Sequence, residues 1–552
     1  MNRLKNLSIL EYEQFDVCII GGGATGLGCA LDAAMRGLKV VLIERDDFAA
    51  ATSSKSSKLF HGGMPSLKQV FKTGGFEQLR SFKKALNERK ILIKNAPHLA
   101  QPLALLTPCY SWWEGISNAI SLKIYDWLAG DTNLAPSEWL SKEEAIRRVP
   151  QLQADRLKSA VLYFDGQFDD TRYALALAKT ADFKGAALIN HVETLGFVRN
   201  TEGVLTSLKV RETLTDEDYE IKARLFVNAT GPFSDHVRQL ANPKLAPRMR
   251  VNKGAHIVLP RDLMPGDTAV LTPKDKDGRS IFIIPWQRRL LVGTTESEAK
   301  LTGKKPTLEQ DDVAYLLKYV NQYFQKQVKP EQIRSGFSGL RPLLQVDSLA
   351  KSKNIAHDYA VEVDKLSGLI SIMGGKWTTY RLMAKETIDK CEEILSEGLP
   401  AEREGISECK TADQRLIGAE GFVKEDYKRL ARQFGVPEYV TRRINRRYGT
   451  EAIRILVMIW KDPTLRHPIV HGSPILKAEV MYVTIHEMAC TLKDVMARRI
   501  GLELTDWEQT LEVMSVIVNL MQEALWFSAA DRDRMLVEYR KEIQAFREKV
   551  SL

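Results

Sequence analysis

Asp16 to Gly37 reads D-V-C-I-I-G-G-G-A-T-G-L-G-C-A-L-D-A-A-M-R-G, and this stretch decides the fold. A short apolar strand, Val17 to Ile20, runs straight into Gly21-Gly22-Gly23-Ala24-Thr25-Gly26, and a run of small helix-compatible residues follows. That order of strand, glycine turn and helix is the context in which a G-x-G-x-x-G run binds a dinucleotide. Gly21 makes the turn, Gly23 lets the backbone approach a pyrophosphate, and Gly26 lets the helix pack on the strand. The helix N-terminus then presents free N–H groups to phosphate oxygens. A second strand, Lys39 to Ile43, ends in Glu44, 18 residues beyond Gly26, where a carboxylate accepts ribose hydroxyls.

The whole chain sets the scale around that unit. At 552 residues it is too long for one core, so two or three domains are expected. Lys and Arg number 79 against 70 Asp and Glu, a net charge of +9. That mild excess suits anionic substrates or an anionic membrane surface. No basic block with interleaved aromatics occurs, which argues against nucleic acid as a partner. The six cysteines, Cys18, Cys29, Cys109, Cys391, Cys409 and Cys490, are scattered, with no C-x-x-C pair and no metal-ligand spacing. A reducing compartment and no metal are expected. Met1 to Phe15 lacks the apolar core of a signal peptide, and no apolar run reaches the roughly 18 residues of a membrane span.

Along the chain, nucleotide-domain segments alternate with others. Residues 76–96 and 171–184 predict helices. Arg224 to Val227 predicts a strand ending in Asn228-Ala229-Thr230-Gly231-Pro232, and residues 367–373 predict another before Gly374-Gly375-Lys376. Residues 245–345 alternate apolar and polar positions, as an antiparallel sheet does. From about 413 onward the pattern is helical, and its cluster Arg442, Arg443, Arg446, Arg447 reads as a solvated face. In residues 110–130, Trp112, Ile116, Ile120, Ile124 and Leu128 form an apolar stripe; packing against its own domain is the expected reading, and a membrane interface is the alternative. The interleaving suits a flavoprotein better than a nicotinamide dehydrogenase.

Three further motifs sharpen the reading. They are Thr52-Ser53-Ser54-Lys55-Ser56-Ser57-Lys58-Leu59-Phe60-His61-Gly62-Gly63; Gly293-Thr294-Thr295-Glu296 with Ser338-Gly339-Leu340-Arg341-Pro342-Leu343; and Gly374-Gly375-Lys376-Trp377-Thr378-Thr379-Tyr380-Arg381. Together with the opening fingerprint the sequence resembles the FAD-dependent glycerol-3-phosphate dehydrogenases, which include quinone-linked enzymes and related oxidases. The resemblance runs from about Phe15 to Arg499, and Ala478-Glu479-Val480 and Glu487-Met488-Ala489 match the family's cap domain.

The resemblance implies an α/β + α fold. An FAD-binding Rossmann-like domain (15–115, 155–240 and 350–397) carries an inserted antiparallel-sheet substrate domain (116–154 and 241–349), like that of D-amino-acid oxidases. A helical C-terminal domain (411–552) follows. It implies non-covalent FAD, and oxidation of sn-glycerol 3-phosphate to dihydroxyacetone phosphate with electrons passed to a quinone or oxygen. The implied cofactor residues are Gly21 to Gly26, Glu44, Thr52, Ser53, Ser54, Lys58, Leu59, His61, Val192, Gly231, Gly375, Lys376, Trp377 and Thr378. His61 and His256 become base candidates, and Arg341 and Lys376 become cations for substrate oxygens. A cytoplasmic protein is expected, with peripheral attachment to the inner face of the cytoplasmic membrane and a homodimer as further expectations.

Two positions depart from the family pattern. After His61-Gly62-Gly63 the family continues with an apolar residue, Arg and Tyr, whereas this chain has Met64-Pro65-Ser66. The family's Arg before Asp-Tyr is His357 here, ahead of Asp358-Tyr359. Both departures weaken the phosphate region and leave the FAD half intact. Two alternatives therefore stand beside the leading reading: an oxidoreductase of the same fold acting on another small hydroxy acid or amine, and a non-catalytic FAD-binding protein.

Overall fold

The computed structural model describes residues 1–60, 76–274, 278–301, 305–345, 359–397 and 407–550. The apolar run of the opening motif forms the strand Gln14–Ile20 at the centre of the first sheet. Both of its neighbours, Val40–Ile43 and Glu217–Asn228, run parallel to it. The sheet continues to Ala187–Ile189 on one side and to Ile370–Gly374 and Tyr359–Val363 on the other, with the hairpin Val192–Arg199 and Leu205–Glu212 added to Glu217–Asn228. A strand with parallel neighbours and covered faces is apolar where it is covered, and Val17, Cys18 and Ile19 are fully buried. Helix Ala24–Met35 packs between helices Asp170–Phe183 and Tyr380–Ser396. All six cysteines are free.

The second sheet is mostly antiparallel and joins distant parts of the chain. Met249–Pro260, Arg289–Gly293, Phe282–Trp286 and Ala269–Leu271 lead into Ala100–Cys109, Ser159–Phe168 and Leu59–Phe60, and Ser335–Leu344 lies along Met249–Pro260. Within residues 245–345 the strands Met249–Pro260, Phe282–Trp286, Arg289–Gly293 and Ser335–Leu344 follow the predicted alternation, but Gln310–Tyr323 is a helix that the sheet reading did not separate. Ala100–Cys109 and Ser159–Phe168 differ from the sequence reading, which grouped them with the nucleotide domain. They pair with each other over their whole length within the second sheet. Ala269–Leu271, the strand that ties Ala100–Cys109 into that sheet, lies far along the chain.

Helices from Tyr427–Phe434 to Ala529–Val550 form the C-terminal region. One hydrophobic core runs through it and the second sheet, taking in Leu106, Ile257 and Leu316 with Ile455, Val483 and Met514. The basic cluster on Glu438–Tyr448 is split and is not one solvated face. Arg442 and Arg446 are exposed, but Arg443 pairs with Glu479, and the buried Arg447 bonds Asp169 at 2.9 Å and the Arg499 carbonyl at 2.8 Å. The helix Trp112–Ala129 also differs from expectation. It buries Gly115, Leu122, Tyr125 and Ala129 and leaves Trp112, Ile116 and Ile120 exposed, while Ile124 is half-buried and Leu128 packs against Phe82, Leu86, Tyr125 and Ala129, so only the C-terminal end of the stripe packs on its own domain. Among the described residues no helix is long and apolar enough to cross a membrane.

His98 sits where the nucleotide domain meets the segment entering the C-terminal helices. It is 4% exposed, its ring lies 5.7 Å from that of Phe422, and a side chain at Gly418 would strike it. Burial, with Arg172 and Lys179 near, pushes its pKa from 6.5 down to about 3. In the unfolded chain this imidazole takes up a proton near pH 6.5, whereas the folded chain does so only near pH 3. Stability is therefore lost progressively as pH falls through that window, by about 2 kcal/mol from pH 7 to pH 5. His98→Gln should flatten that part of the dependence, measured as the difference in unfolding midpoint between pH 7 and pH 5; an unchanged difference would place the titration elsewhere.

Candidate active site

The glycine turn ends the central strand and opens the helix as its sequence predicts. Gly21 adopts φ +110°, and a Cβ there would lie 2.7 Å from the Ala229 carbonyl. Gly26 lies so close beneath the turn that a Cβ would meet the Gly21 oxygen at 1.9 Å. At the helix N-terminus the Ala24 N–H points to Ser53 Oγ at 3.0 Å, bringing the loop after the second strand against the turn. Glu44 accepts from the Gly22 N–H at 2.6 Å and the Asp46 N–H at 2.9 Å. Burial raises its pKa against these bonds. Val192 lies beside it, its N–H donating to the Glu44 carbonyl at 2.8 Å.

The loop from Glu44 to Leu59 is held from below by a buried carboxylate. Asp47 is fully buried and receives Arg499 at 2.5 and 2.9 Å, Arg498 through Nε, and Asn190 at 2.9 Å. Both arginines come from the C-terminal region. Arg498 also bonds Asp494 at 2.6 Å, and Arg499 donates to the Glu487 carbonyl at 2.7 Å. Glu487 in turn takes a bidentate bond from Arg172 at 2.6 and 2.8 Å, and its pKa stays near 2 because these cations outweigh the cost of burial.

Above the loop lies a cavity of about 730 Å³. Gly21, Gly23, Ala24, Thr25, Glu44, Val192 and Gly231 line one part of it, and Thr52, Ser53, Leu59, Gly375, Lys376, Trp377 and Thr378 line another. Thr52 Oγ1 donates to the Leu340 carbonyl at 2.6 Å, and Trp377 Nε1 to the Ser53 carbonyl at 2.9 Å, so both sheets and the loop share the wall. This run of glycine turn, helix N-terminus, hydroxyls and a second glycine pair suits a dinucleotide with a flat ring at one end, and FAD fits that description.

At the flavin end stand the charged and titratable candidates. Arg341, on strand Ser335–Leu344, is partly exposed to the cavity with Glu296 at 3.5 Å. Lys376 is exposed at the start of the turn Trp377–Thr379. His256, on Met249–Pro260, is 3% exposed, stacks on Phe337 at 4.9 Å and shares a 3.0 Å hydrogen bond with Ser57 Oγ. Burial, then the nearby Lys58 and Arg341 charges, hold its pKa well below the usual value, so the ring is neutral.

Not every residue in the motifs faces this cavity. Gly22, Gly26 and Ser54 lie behind its wall. Lys58 is fully buried and points away, bonding Asp170 at 2.7 and 2.8 Å and the Ser54 carbonyl at 2.7 Å. It acts on the site by fixing the loop and by its charge. His61, Met64, Pro65, Ser66 and His357 lie outside the described residues.

A family model described as "FAD dependent oxidoreductase" matches residues 16–381, and one described as the C-terminal domain of alpha-glycerophosphate oxidase matches residues 409–532. The chain is 39% identical over 546 residues to a probable mitochondrial glycerol-3-phosphate dehydrogenase of Caenorhabditis elegans, covering 97% of this chain and 74% of that protein. It is 36% identical to the human mitochondrial glycerol-3-phosphate dehydrogenase over 548 residues, with the same coverage. The chain belongs to the FAD-dependent glycerol-3-phosphate dehydrogenase family. A crystal structure of the glycerol-3-phosphate dehydrogenase from Bacillus halodurans, complexed with FAD, superposes with a TM-score of 0.79 at 27% identity, covering 98% of this chain and 96% of that one.

In this dehydrogenase-family site, Ser57 is the residue that sequence reasoning missed. It stands within the quoted Thr52 to Gly63 motif, one of four serines there, and only the fold shows which of them meets His256. His256 itself depends on a residue across the sheet. Gly293 is its register partner, and a Cβ there would fall 2.1 Å from the imidazole Cδ2. Gly293→Ala should therefore push the ring off its place, cutting the rate of flavin reduction by substrate tenfold or more while FAD stays bound. Stopped-flow bleaching of the flavin band checks this, and a wild-type rate would show that the ring's position is immaterial.

Proposed function

We propose that Arg341 and Lys376 hold the anionic oxygens of glycerol 3-phosphate in this cavity while His256, bonded to Ser57, receives the proton of the C2 hydroxyl. The reaction is the family's: sn-glycerol 3-phosphate is oxidised to dihydroxyacetone phosphate, and the electrons pass on to a quinone or to oxygen. FAD supplies the two-electron acceptor when bound. The chain supplies binding, orientation and the proton acceptor. A guanidinium offers a rigid fork to a carboxylate or phosphate, and Glu296 restrains that of Arg341. An ammonium acts as a point charge on a flexible stem. A neutral imidazole can accept a proton where a charged one could not. The Ser57 hydroxyl orients that ring through the 3.0 Å bond.

The observation that carries this reading is the convergence of Arg341, Lys376 and His256 on the cavity that the glycine turn opens. Pro65 and His357 stand where the family has arginines, so more of the substrate's charge falls to Arg341 and Lys376. A hydrogen bond to a charged group contributes about 1.5–3 kcal/mol. Arg341→Ala and Lys376→Ala should each weaken anaerobic flavin reduction by glycerol 3-phosphate about tenfold to a hundredfold, with FAD content unchanged. If wild-type flavin is bleached by another hydroxy acid and not by glycerol 3-phosphate, the site serves a different substrate.

A membrane surface is the second partner in this proposal, and the helix Trp112–Ala129 supports it. Trp113 and Trp127 are each 80% exposed, and Trp112, Ile116 and Ile120 lie on the same side, opposite the buried Gly115, Leu122, Tyr125 and Ala129. Indole rings favour the headgroup region, and the net charge of +9 is attracted to anionic lipid. The protein should co-sediment with vesicles containing phosphatidylserine at low salt. Replacing Trp112, Trp113 and Trp127 with Ser should reduce the bound fraction at least severalfold, and unaltered binding by that variant would move the contact elsewhere.

A further inference from the structure

Behind the cofactor loop lies a second cavity, of about 560 Å³, where the three regions of the chain meet. Its apolar wall is Phe233 from the nucleotide domain, Leu308 and Phe337 from the second domain, and Trp507 and Phe546 from the C-terminal helices. The size and lining are those of a site for a small organic molecule. Most of the charges around it are matched. Lys305 pairs with Asp46 at 3.0 Å, Lys493 pairs with Glu542, and Arg498 pairs with Asp47 and with Asp494. Arg45 lies over the Phe233 ring at 5.1 Å.

Lys55 is different. Its ammonium stands 5.4 Å from the centroid of Phe337, and among the described residues no hydrogen bond or ion pair engages it. Burial pushes its pKa down to about 8; Glu503 opposes that shift, and Lys493, Lys58 and Arg498 add to it. Glu503 is itself bonded by the Tyr539 hydroxyl at 2.8 Å. Lys55 is half-buried, and an ammonium with no acceptor in contact gains a charge-assisted hydrogen bond from an anion placed against it. Lys55 also borders the cofactor cavity, as do Arg45, Thr52, Phe233 and Leu340, so an occupant of the second cavity would be felt at the first.

We propose that this second cavity binds an aromatic carboxylate, its charge on Lys55 and its ring against the wall of Phe337, Trp507 and Phe546. The aromatic wall selects the flat body, and the unmatched ammonium selects the single negative charge. The site is distinct from the substrate position at Arg341 and Lys376, neither of which lines it.

Isothermal titration of the FAD-loaded full chain with 2-naphthoate, in saturating glycerol 3-phosphate, tests this. One saturable site per chain is expected, with 2-naphthamide binding at least tenfold more weakly. Lys55→Gln should weaken 2-naphthoate at least tenfold. Phe546→Asp, which places a negative charge on the far wall and leaves the cofactor loop untouched, should do the same and decides the matter if Lys55→Gln fails to fold or to retain FAD. Absence of saturable binding at millimolar concentration, displacement by glycerol 3-phosphate, equal affinity for the amide, or wild-type affinity in Phe546→Asp would each overturn the proposal.

Discussion

The bonds of Arg498 and Arg499 to the buried carboxylate of Asp47 are the constraint on which the site depends. Asp47 lies in the loop that begins at Glu44 and runs through Thr52, Ser53 and Ser57, the segment that lines the cofactor cavity and reaches His256. Without those cations a fully desolvated negative charge would sit beneath that loop, and removing one partner of a buried pair costs about 3–5 kcal/mol. The arrangement extends outward: Arg499 also caps the Glu487 carbonyl, and Glu487 holds Arg172 on the helix that packs on the first sheet. The C-terminal region is therefore part of the cofactor site's foundation.

A second buried pair, Lys58 with Asp170, fixes the far end of the same loop. Its charge has a use beyond anchoring. Together with Arg341 it helps keep His256 neutral, after burial itself. The imidazole thus sits in a positive field that also suits an anionic substrate. Under the function proposed above, the cations that would attract the phosphate also help to keep the ring neutral, with burial contributing most.

Much of this was legible in the sequence. Gly21 and Gly26 do what a glycine fingerprint requires, because their spacing reports backbone geometry, which is local. The alternation within residues 245–345 marked its strands for the same reason, since a period of two is a property of each strand, but it passed over the helix Gln310–Tyr323. What the sequence withheld was long-range. Ala100–Cys109 and Ser159–Phe168 pair with each other, and it is the parallel pairing of Ala269–Leu271 with Leu105 and Leu106 that joins them to the second sheet. Lys58 belongs to a cofactor motif but turns to Asp170, and Ser57, beside it, is the one that meets His256. Trp112, Ile116 and Ile120 show a stripe whose period fits a helix; which side of that helix is buried depends on Gly115, Leu122 and Tyr125 and on what packs over them.

The Asp47 clamp also bears on how the protein is made. Asp47 and Arg499 are 452 residues apart. Synthesis runs from the N-terminus, and domains fold as they emerge. The strand and glycine turn precede Asp47, and the arginine that neutralises the loop is added only 452 residues after it. The cradle is thus half-built while the residues between them are synthesised, and its closure waits on the arginines.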